Sequence, residues 1–243
     1  MAFIQFGNKK IGFEIKRGNR ERSVAIHVRP GAEVTVLAPR NLNEERIRII
    51  LQKKARWIIE KQEQLRNHAD SNPVKEFVSG ESFPYLGKNY RLKVVRSSAG
   101  SDGKCKLVNG RLLVETNGNS DAESGKIAVR KALMEWYLEH AENKVRERLD
   151  RFASQIGKWP ASVEIKNQVR RWGSCSLNGR VRLNWKIIMA PLSVIDYVIV
   201  HELCHLVYPH HSFHFWQKVR SVIPDYKKKR DWLKEVSFRI NLV

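Results

Sequence analysis

Two histidines four residues apart, with a glutamate directly after the first, form the segment His201-Glu202-Leu203-Cys204-His205. On an α-helix this spacing places both imidazoles on one face, one turn apart. The surrounding segment is rich in valine, isoleucine and leucine, so the helix should be buried on most sides inside a domain. Burying unpartnered polar groups costs roughly 1 to 3 kcal/mol per neutral group. A metal ion bound by His201 and His205 would offset that cost.

The competing interpretation is a pair of hydrogen-bonded core histidines, with Glu202 paired to a lysine or arginine. The spacing of the pair, with the glutamate between them, favours a metal site. Flanking residues predict the helix ends. Pro191 and Ser193 precede the helix, Asp196 stands where a capping-box acid would, and Pro209 ends it. The metal-binding residues are therefore expected in the middle of the helix.

A catalytic zinc site usually has three protein ligands, and three further histidines follow the motif. Ser212 is predicted to cap a helix whose buried stripe contains Phe215 and Trp216. His214 then lies on the opposite, solvated face and is the weakest candidate. His210 and His211 lie in the turn after the motif, and spacing leaves both open as the third ligand.

Length and composition limit the class of protein. A chain of 243 residues with 42% hydrophobic residues can form one large domain or two small ones. No apolar run approaches the ~18 residues that cross a bilayer, and the N-terminus lacks a signal-peptide pattern, which predicts a cytoplasmic protein without a membrane partner. The three cysteines, Cys105, Cys175 and Cys204, lack C-x-x-C spacing and are predicted to be reduced thiols.

The formal net charge is +20, but lysines and arginines are spread along the chain. Such a distribution favours solubility and weak contact with nucleic acid or nucleotides over a dedicated nucleic-acid reader. The oligomeric state is not predicted by the sequence.

Coarse periodicity predicts an α+β fold with two parts. Strands at 11–16, 23–28 and 33–37 should form a small antiparallel sheet, followed by a helix from residue 44 to about 65. Strands resume at Phe77, 90–95, 106–108 and 111–114, with a hairpin turn at Asn109-Gly110. The polar segment 116–124 is the predicted boundary between residues 1–118, a β-rich part that could recognise substrate, and residues 119–243. No internal sequence repeat is visible.

The second part is predicted to contain a long helix at 124–156, with Ile127 on its apolar side, that packs against the metal-binding helix. A strand at 163–167 precedes a hairpin of 172–176 and 180–185, joined at Asn178-Gly179. The alternation in the second arm assigns one set of side chains to the core and the other, which includes Asn184, to solvent.

The segment HELCHLVYPHHSFHFW, together with RRWGSCS, RLNW and APLSVIDYVIVHEL upstream, resembles the YgjP-like zincin metallopeptidases, relatives of the SprT-like proteases. The resemblance extends more weakly to RSVAIHVRPGAEVTVLAP and YLGKNYRLKV in the N-terminal half. It implies a zincin-like C-terminal domain, one Zn²⁺ per chain, and His211 as the third ligand beside His201 and His205. It also implies a sheet edge beside the metal that could bind an extended substrate.

These residues predict a zinc metallopeptidase in which Glu202 acts as general base toward a metal-activated water. Four residues before or within the hairpin could supply a second oxyanion donor: Arg170, Arg171, Trp172 and Ser174. One alternative is a metal-dependent nucleoside triphosphate pyrophosphatase, because the positive surface suits phosphates. A second is a metal-stabilised binding module on DNA or a DNA-bound protein, which would tolerate Glu202→Gln.

Overall fold

The structure is a computed structural model that describes residues 2–18, 23–29, 31, 33–71, 75–96, 103–116, 123–168 and 171–236. The chain divides into two compact units, Met1–Val74 and Lys75–Val243. The sequence instead placed a boundary after residue 118, in a polar segment of which residues 117–122 lie outside the described part. The two divisions differ because the strands between residues 82 and 116 share a hydrophobic core with the long helix that follows them.

The first unit is a four-stranded sheet and a helix. Its elements are β1 (Ala2–Phe6), β2 (Lys9–Gly18), β3 (Ala25–Val28), β4 (Val34–Pro39) and α1 (Glu44–Ser71). The strand order is β1-β2-β4-β3. The expectation of an antiparallel sheet was wrong, because β4 inserts between β2 and β3 and runs parallel to β2. The apolar face of α1, with Ile47, Leu51 and Ile58, shares a core with Phe13 and Val36 of the sheet.

A second four-stranded sheet opens the other unit. It contains β5 (Ser82–Tyr85), β6 (Lys88–Arg96), β7 (Cys105–Val108) and β8 (Arg111–Thr116) in the order β5-β6-β8-β7. The strand order and pair directions repeat those of the first sheet, and a long helix again follows. This topological repeat was not visible in the sequence. The Asn109-Gly110 hairpin is confirmed, with φ values of 47° and 71°, whereas Phe77 lies outside any strand.

The long helix α2 (Glu123–Ile156) is confirmed, and it buries a continuous apolar face that contacts the later helices. Ile127 was wrongly assigned to this face, because its side chain is 60% exposed. Tyr137 lies fully buried in the middle of the helix and donates a hydrogen bond of 2.6 Å from its hydroxyl to the carbonyl oxygen of Pro84. The helix is therefore attached to the second sheet on one side.

The remaining chain forms a three-stranded sheet and three α-helices. These are β9 (Ser162–Lys166), β10 (Gly173–Cys175), β11 (Arg180–Asn184), a 3-10 helix (Trp185–Met189), α3 (Leu192–Cys204), α4 (Phe213–Val222) and α5 (Tyr226–Val236). The strand order is β10-β11-β9, with the predicted hairpin between β10 and β11 and a parallel pairing of β9 with β11. The edge strand β10 lies against α3. The fold class is α+β, as predicted.

The turn between β5 and β6 fixes the segment that leads into α3. The amide of Leu86 donates to the carbonyl oxygen of Ile188 at 2.8 Å, and the amide of Gly87 donates to that of Met189 at 3.1 Å. Gly87 has φ +78°, and a Cβ at this position would lie 2.9 Å from Pro191. Only glycine allows both this backbone conformation and this close approach. Residues before 118 therefore help to position the helix that carries the motif.

None of the helices in the described part of the chain combines the length and the apolar composition that a bilayer crossing needs.

Candidate metal centre

The helix α3 begins at Leu192, after Pro191, and has no side-chain cap. The prediction that Asp196 acts as a capping-box acid was wrong. Its two carboxylate oxygens accept hydrogen bonds of 2.7 Å from Nε and Nη2 of Arg148 in α2. Both side chains of this ion pair are largely shielded from solvent, with exposures of 12% and 15%. The acid therefore ties α3 to α2 instead of starting the helix.

The motif occupies the last turn of α3. The helix ends at Cys204 and His205 is its C-cap, so the expectation that both histidines lie in mid-helix was wrong for His205. His205 keeps helical φ and ψ values of −67° and −20°, which preserves the one-turn spacing from His201. The chain then turns sharply, since the amide of Tyr208 donates to the carbonyl oxygen of Cys204.

The structure brings a third histidine to the first two. Nε2 of His211 lies 3.0 Å from Nε2 of His201, and one nitrogen from each of His201, His205 and His211 falls within 4.8 Å of the others. The group that could hold a metal ion among the described residues contains neither His210 nor His214. His214 lies on the exposed side of α4, as expected, and Ser212 caps that helix by accepting a hydrogen bond from the amide of Phe215.

The size of the cluster suits a zinc ion. Zn–N bonds of about 2.0 to 2.1 Å at the tetrahedral angle place two imidazole nitrogens on one ion about 3.3 Å apart. The widest pair here needs to close by at most about 1.5 Å to reach that distance. Rotation of an imidazole ring about its side-chain torsions supplies such a movement. Three histidine nitrogens are also the ligand type that leaves a fourth, open position in catalytic zinc sites.

The electrostatic environment keeps the helical histidines neutral. Burial, with His205 and His211 nearby, lowers the pKa of His201 to about 3. Burial also lowers the pKa of His205, opposed in part by its hydrogen bond to the carbonyl oxygen of Tyr208 at 3.2 Å. That bond requires a proton on Nδ1 and leaves the Nε2 lone pair free for a metal. Neutral imidazole is the form that binds metal ions.

Glu202 is a buried carboxyl group, with only 5% of the residue exposed. Burial raises its pKa to about 8, and the positive charge of Arg171 acts in the opposite direction. A carboxyl group that gains and loses a proton near neutral pH is suited to general acid and base chemistry.

Strand β10 lies directly against Glu202. A Cβ added to Gly173 would lie 2.6 Å from Oε1 of Glu202 and 2.8 Å from its Cδ, so only glycine leaves room for the carboxylate. Successive strand residues face opposite sides, which places Cys175 on the same side as Gly173 and Ser174 on the other. Ser174 pairs in register with Arg182 of β11. The Ser174 hydroxyl therefore points away from Glu202 and is not placed as an oxyanion donor, and Arg170 lies outside the described residues.

The cysteine thiols near the site are protonated. Burial, with a contribution from the charge of Glu202, raises the pKa of Cys175 to about 11, and burial raises that of Cys204 to about 12. Cys204 is fully buried in α3 and fills space in the core, as predicted.

Two positions near the site were missed or misjudged in the sequence. Gly173 could have been found, because a glycine inside a strand often marks the close approach of another group. Asn184 was assigned to the solvated face but is 5% exposed. Its amide donates to the carbonyl oxygens of Gln168 and Arg171, at 2.7 and 3.2 Å, and so fixes the chain that enters β10. Nothing in its alternation pattern indicates this role.

Residues 22–236 match the YgjP-like family, described as the YgjP-like metallopeptidase domain. One matching solved structure is the crystal structure of the metallopeptidase zymogen abylysin of Pyrococcus abyssi. It shares 23% identity, its alignment covers 38% of this chain and 95% of that chain, and the TM-score is 0.36. No curated protein matches this chain. Because the family match spans most of the sequence, the chain belongs to the YgjP-like metallopeptidase family.

Proposed function

We propose that this protein is a zinc-dependent metallopeptidase that hydrolyses peptide bonds, with one Zn²⁺ per chain bound by His201, His205 and His211. The observation that carries the proposal is the convergence of three histidine nitrogens beside a buried carboxyl group. Membership of a metallopeptidase family supports the same reaction class. The positions of the described residues then suggest what each side chain does.

The three histidines have the metal-binding role. A zinc ion held by them would lower the pKa of a coordinated water toward about 7 and polarise a carbonyl group. Burial keeps His201 neutral, and the carbonyl oxygen of Tyr208 fixes the tautomer of His205, so both rings present a lone pair without a prior proton loss.

Glu202 has the role of general base and then general acid. Its pKa of about 8 lets the ionised form take a proton from the attacking water, and the protonated form can donate that proton to the leaving amine. Both transfers require a carboxyl group held in one place. The contact with Gly173 on β10 supplies that constraint, because the carboxylate fills the space where a side chain would otherwise stand.

The edge of β10 has the substrate-binding role. This strand is the outer strand of the sheet order β10-β11-β9, and it lies beside Glu202. An extended peptide that adds to such an edge gains main-chain hydrogen bonds and runs past the metal site. We infer that the substrate is an unfolded protein or peptide in the cytoplasm, with residues 1–118 contributing to its recognition.

The proposal is tested with zinc-loaded protein, an unfolded protein substrate and a panel of nucleoside triphosphates, each with and without a chelator. We expect chelator-sensitive peptide cleavage. Glu202→Gln should abolish turnover while zinc stays bound, because Glu202 is not a ligand. His211→Ala should lose zinc, whereas His210→Ala is the matched control and should retain it.

Three results would redirect or reject the proposal. Pyrophosphate release without peptide cleavage would assign the site to nucleotide hydrolysis. Full activity of Glu202→Gln would remove the general base and favour a binding module. A requirement for DNA during proteolysis would make the weak polyanion contact of this +20 protein part of its function.

A further inference from the structure

His211 is the one member of the histidine cluster that lies in a loop. His201 and His205 are held by the last turn of α3 and its cap, but His211 precedes α4 and its side chain is exposed. A loop ligand needs neighbours that fix its ring, because a freely rotating side chain loses conformational entropy when it binds a metal. The hydrogen-bond contact of His211 is with His201 itself, which does not fix it from outside the cluster. The orientation of the His211 imidazole is therefore set by the aromatic rings that contact it.

The indole of Trp216 lies almost parallel to the imidazole of His211. Their ring centroids are 5.5 Å apart and the planes differ by 19°. Phe215 approaches the same imidazole edge-on, at 4.8 Å. The helical geometry of α4 explains the position of the Trp216 side chain. The helix begins directly after the Ser212 cap, and side chains in its first turns point back toward the preceding loop. One face of the indole thus covers one face of the loop histidine.

Further contacts of Trp216 come from α5. Tyr226, the first residue of α5, lies at 5.1 Å from the indole with an angle of 18° between the planes. The guanidinium carbon of Arg230 lies 5.7 Å from the indole ring. Offset stacking and cation–π contacts are both attractive, and here several act on one ring. We call Trp216 and Tyr226 the aromatic bridge.

The aromatic bridge returns to the helix that carries the motif. Tyr226 stacks with Tyr197 at 6.5 Å, and Tyr197 contacts His201 one turn further along α3, at 5.9 Å. His201 in turn lies 4.9 Å from His211. The rings form a closed circuit from α3 through α5 and α4 to the loop and back to α3. Tyr197 and Tyr226 are 4% and 8% exposed, so the far side of the circuit is anchored in the core.

Ring packing takes a role that hydrogen bonds usually have. Metal-binding histidines commonly donate their second ring nitrogen to an oxygen, which fixes the ring. Nδ1 of His201 is buried and has no hydrogen-bond partner within the described residues. Aromatic neighbours, including Tyr197, surround this ring instead.

We propose that Trp216, backed by Tyr226, is a positioning residue that holds His211 in the orientation required for metal binding. The inference rests on the proposed function, since it takes His211 as a ligand. It assigns to α4 and α5, which contribute no histidine to the cluster, the task of converting a loop residue into a preorganised ligand.

The test measures zinc affinity by competition with a chromophoric chelator, and the geometry of the site by the visible absorption of the cobalt-substituted protein. We expect Trp216→Ala to lower zinc affinity by about 10-fold or more, the range seen when groups that orient a ligand are removed. The cobalt spectrum should change with it. Trp216→Phe keeps a flat ring and should remain closer to the wild type, and Tyr226→Phe keeps the stack and should bind zinc normally.

Trp159→Ala is the matched control, because this tryptophan is 59% exposed and lies outside the circuit. If Trp216→Ala does not fold, Trp216→Leu replaces it, since leucine covers the site without stacking, and the same loss is expected. Unchanged zinc affinity and an unchanged cobalt spectrum in a folded Trp216 variant would overturn the inference. If wild-type protein itself fails to bind zinc, the proposed function fails instead, so the two failures are distinguishable.

Discussion

Gly173→Ala gives the sharpest test of the contact between strand β10 and Glu202. The added methyl group would lie 2.6 Å from Oε1, 2.7 Å from Cγ and 2.8 Å from Cδ of Glu202. Ordinary contacts of this kind are about 3.4 Å or longer, so the two groups would have to separate by roughly 0.6 to 0.8 Å.

Neither side can yield easily. Strand β10 is held by its pairing with β11 and by the hydrogen bond from the backbone amide of Asn184 to the carbonyl oxygen of Trp172. On the other side, Glu202 is 5% exposed, so its carboxyl group has little open space to move into. Overpacking of this kind costs about 1 to 3 kcal/mol. We therefore expect the free energy of unfolding of the metal-free protein to fall by that amount. A carboxylate displaced by more than half an ångström should also lower kcat/KM by at least about 10-fold.

The assays are urea unfolding after chelation and cleavage of an unfolded protein substrate. Gly12→Ala is the control, because an added Cβ there meets nothing within 4 Å. Glu202→Ala supplies the decisive background, since removing the carboxylate should relieve the clash and cancel the stability loss from Gly173→Ala. If Gly173→Ala is as stable and active as the wild type, or if its stability loss persists in the Glu202→Ala background, the steric argument is refuted.

Three further outcomes are expected. Burial raises the pKa of Glu202 to about 8, so the protonated carboxyl group favours the metal-free fold at low pH, and this contribution is lost as pH rises from about 4.5 to 8. The free energy of unfolding of Glu202→Gln relative to wild type should therefore rise by about 1 kcal/mol per pH unit in that window. A difference that stays constant with pH in urea unfolding would contradict this expectation. Arg148→Met should cost about 2 to 4 kcal/mol by leaving Asp196 unpaired between α2 and α3, and additivity with Asp196→Ala in a double-mutant cycle would rule out the coupling. Zinc at 100 times its Kd should raise the stability of the folded protein by about 2.7 kcal/mol over the chelated form, and equal melting temperatures with and without chelator would exclude a tight site in the folded state.

Local patterns predicted the elements that carry the site. The apolar periodicity of residues 192–204 and the i, i+4 spacing of two histidines depend only on helical geometry, and the structure has them as expected. The Ser212 cap and the Asn109-Gly110 hairpin depend on the backbone preferences of a few neighbouring residues. The choice of His211 came from resemblance, and the loop that brings it to His201 is set by turns the sequence did not specify.

Long-range contacts explain the predictions that were wrong. Asp196 has the residue type and the position expected of a capping acid, but its hydrogen-bond partner is Arg148, 48 residues earlier in the chain. Asn184 alternates as a solvated residue would, yet it is buried because its side-chain amide donates to the carbonyl oxygens of Gln168 and Arg171. The first sheet is mixed, and not antiparallel as predicted, because β4 pairs with β2 as well as with β3. The residues of β4 indicate a strand but do not indicate which strands it pairs with.

The sequence by itself determined which side chains can do chemistry here: the histidine and glutamate motif, its apolar helix and the cysteines that remain thiols. These follow from the spacing and character of residues close together in the chain, where backbone geometry leaves few choices. Only the tertiary structure decided that Glu202 lies against Gly173, that His211 meets His201 and that Tyr226 of α5 stacks on Trp216 of α4, which in turn stacks on His211. Those contacts join segments that are distant in sequence, and they form only when separate apolar faces are packed into one core.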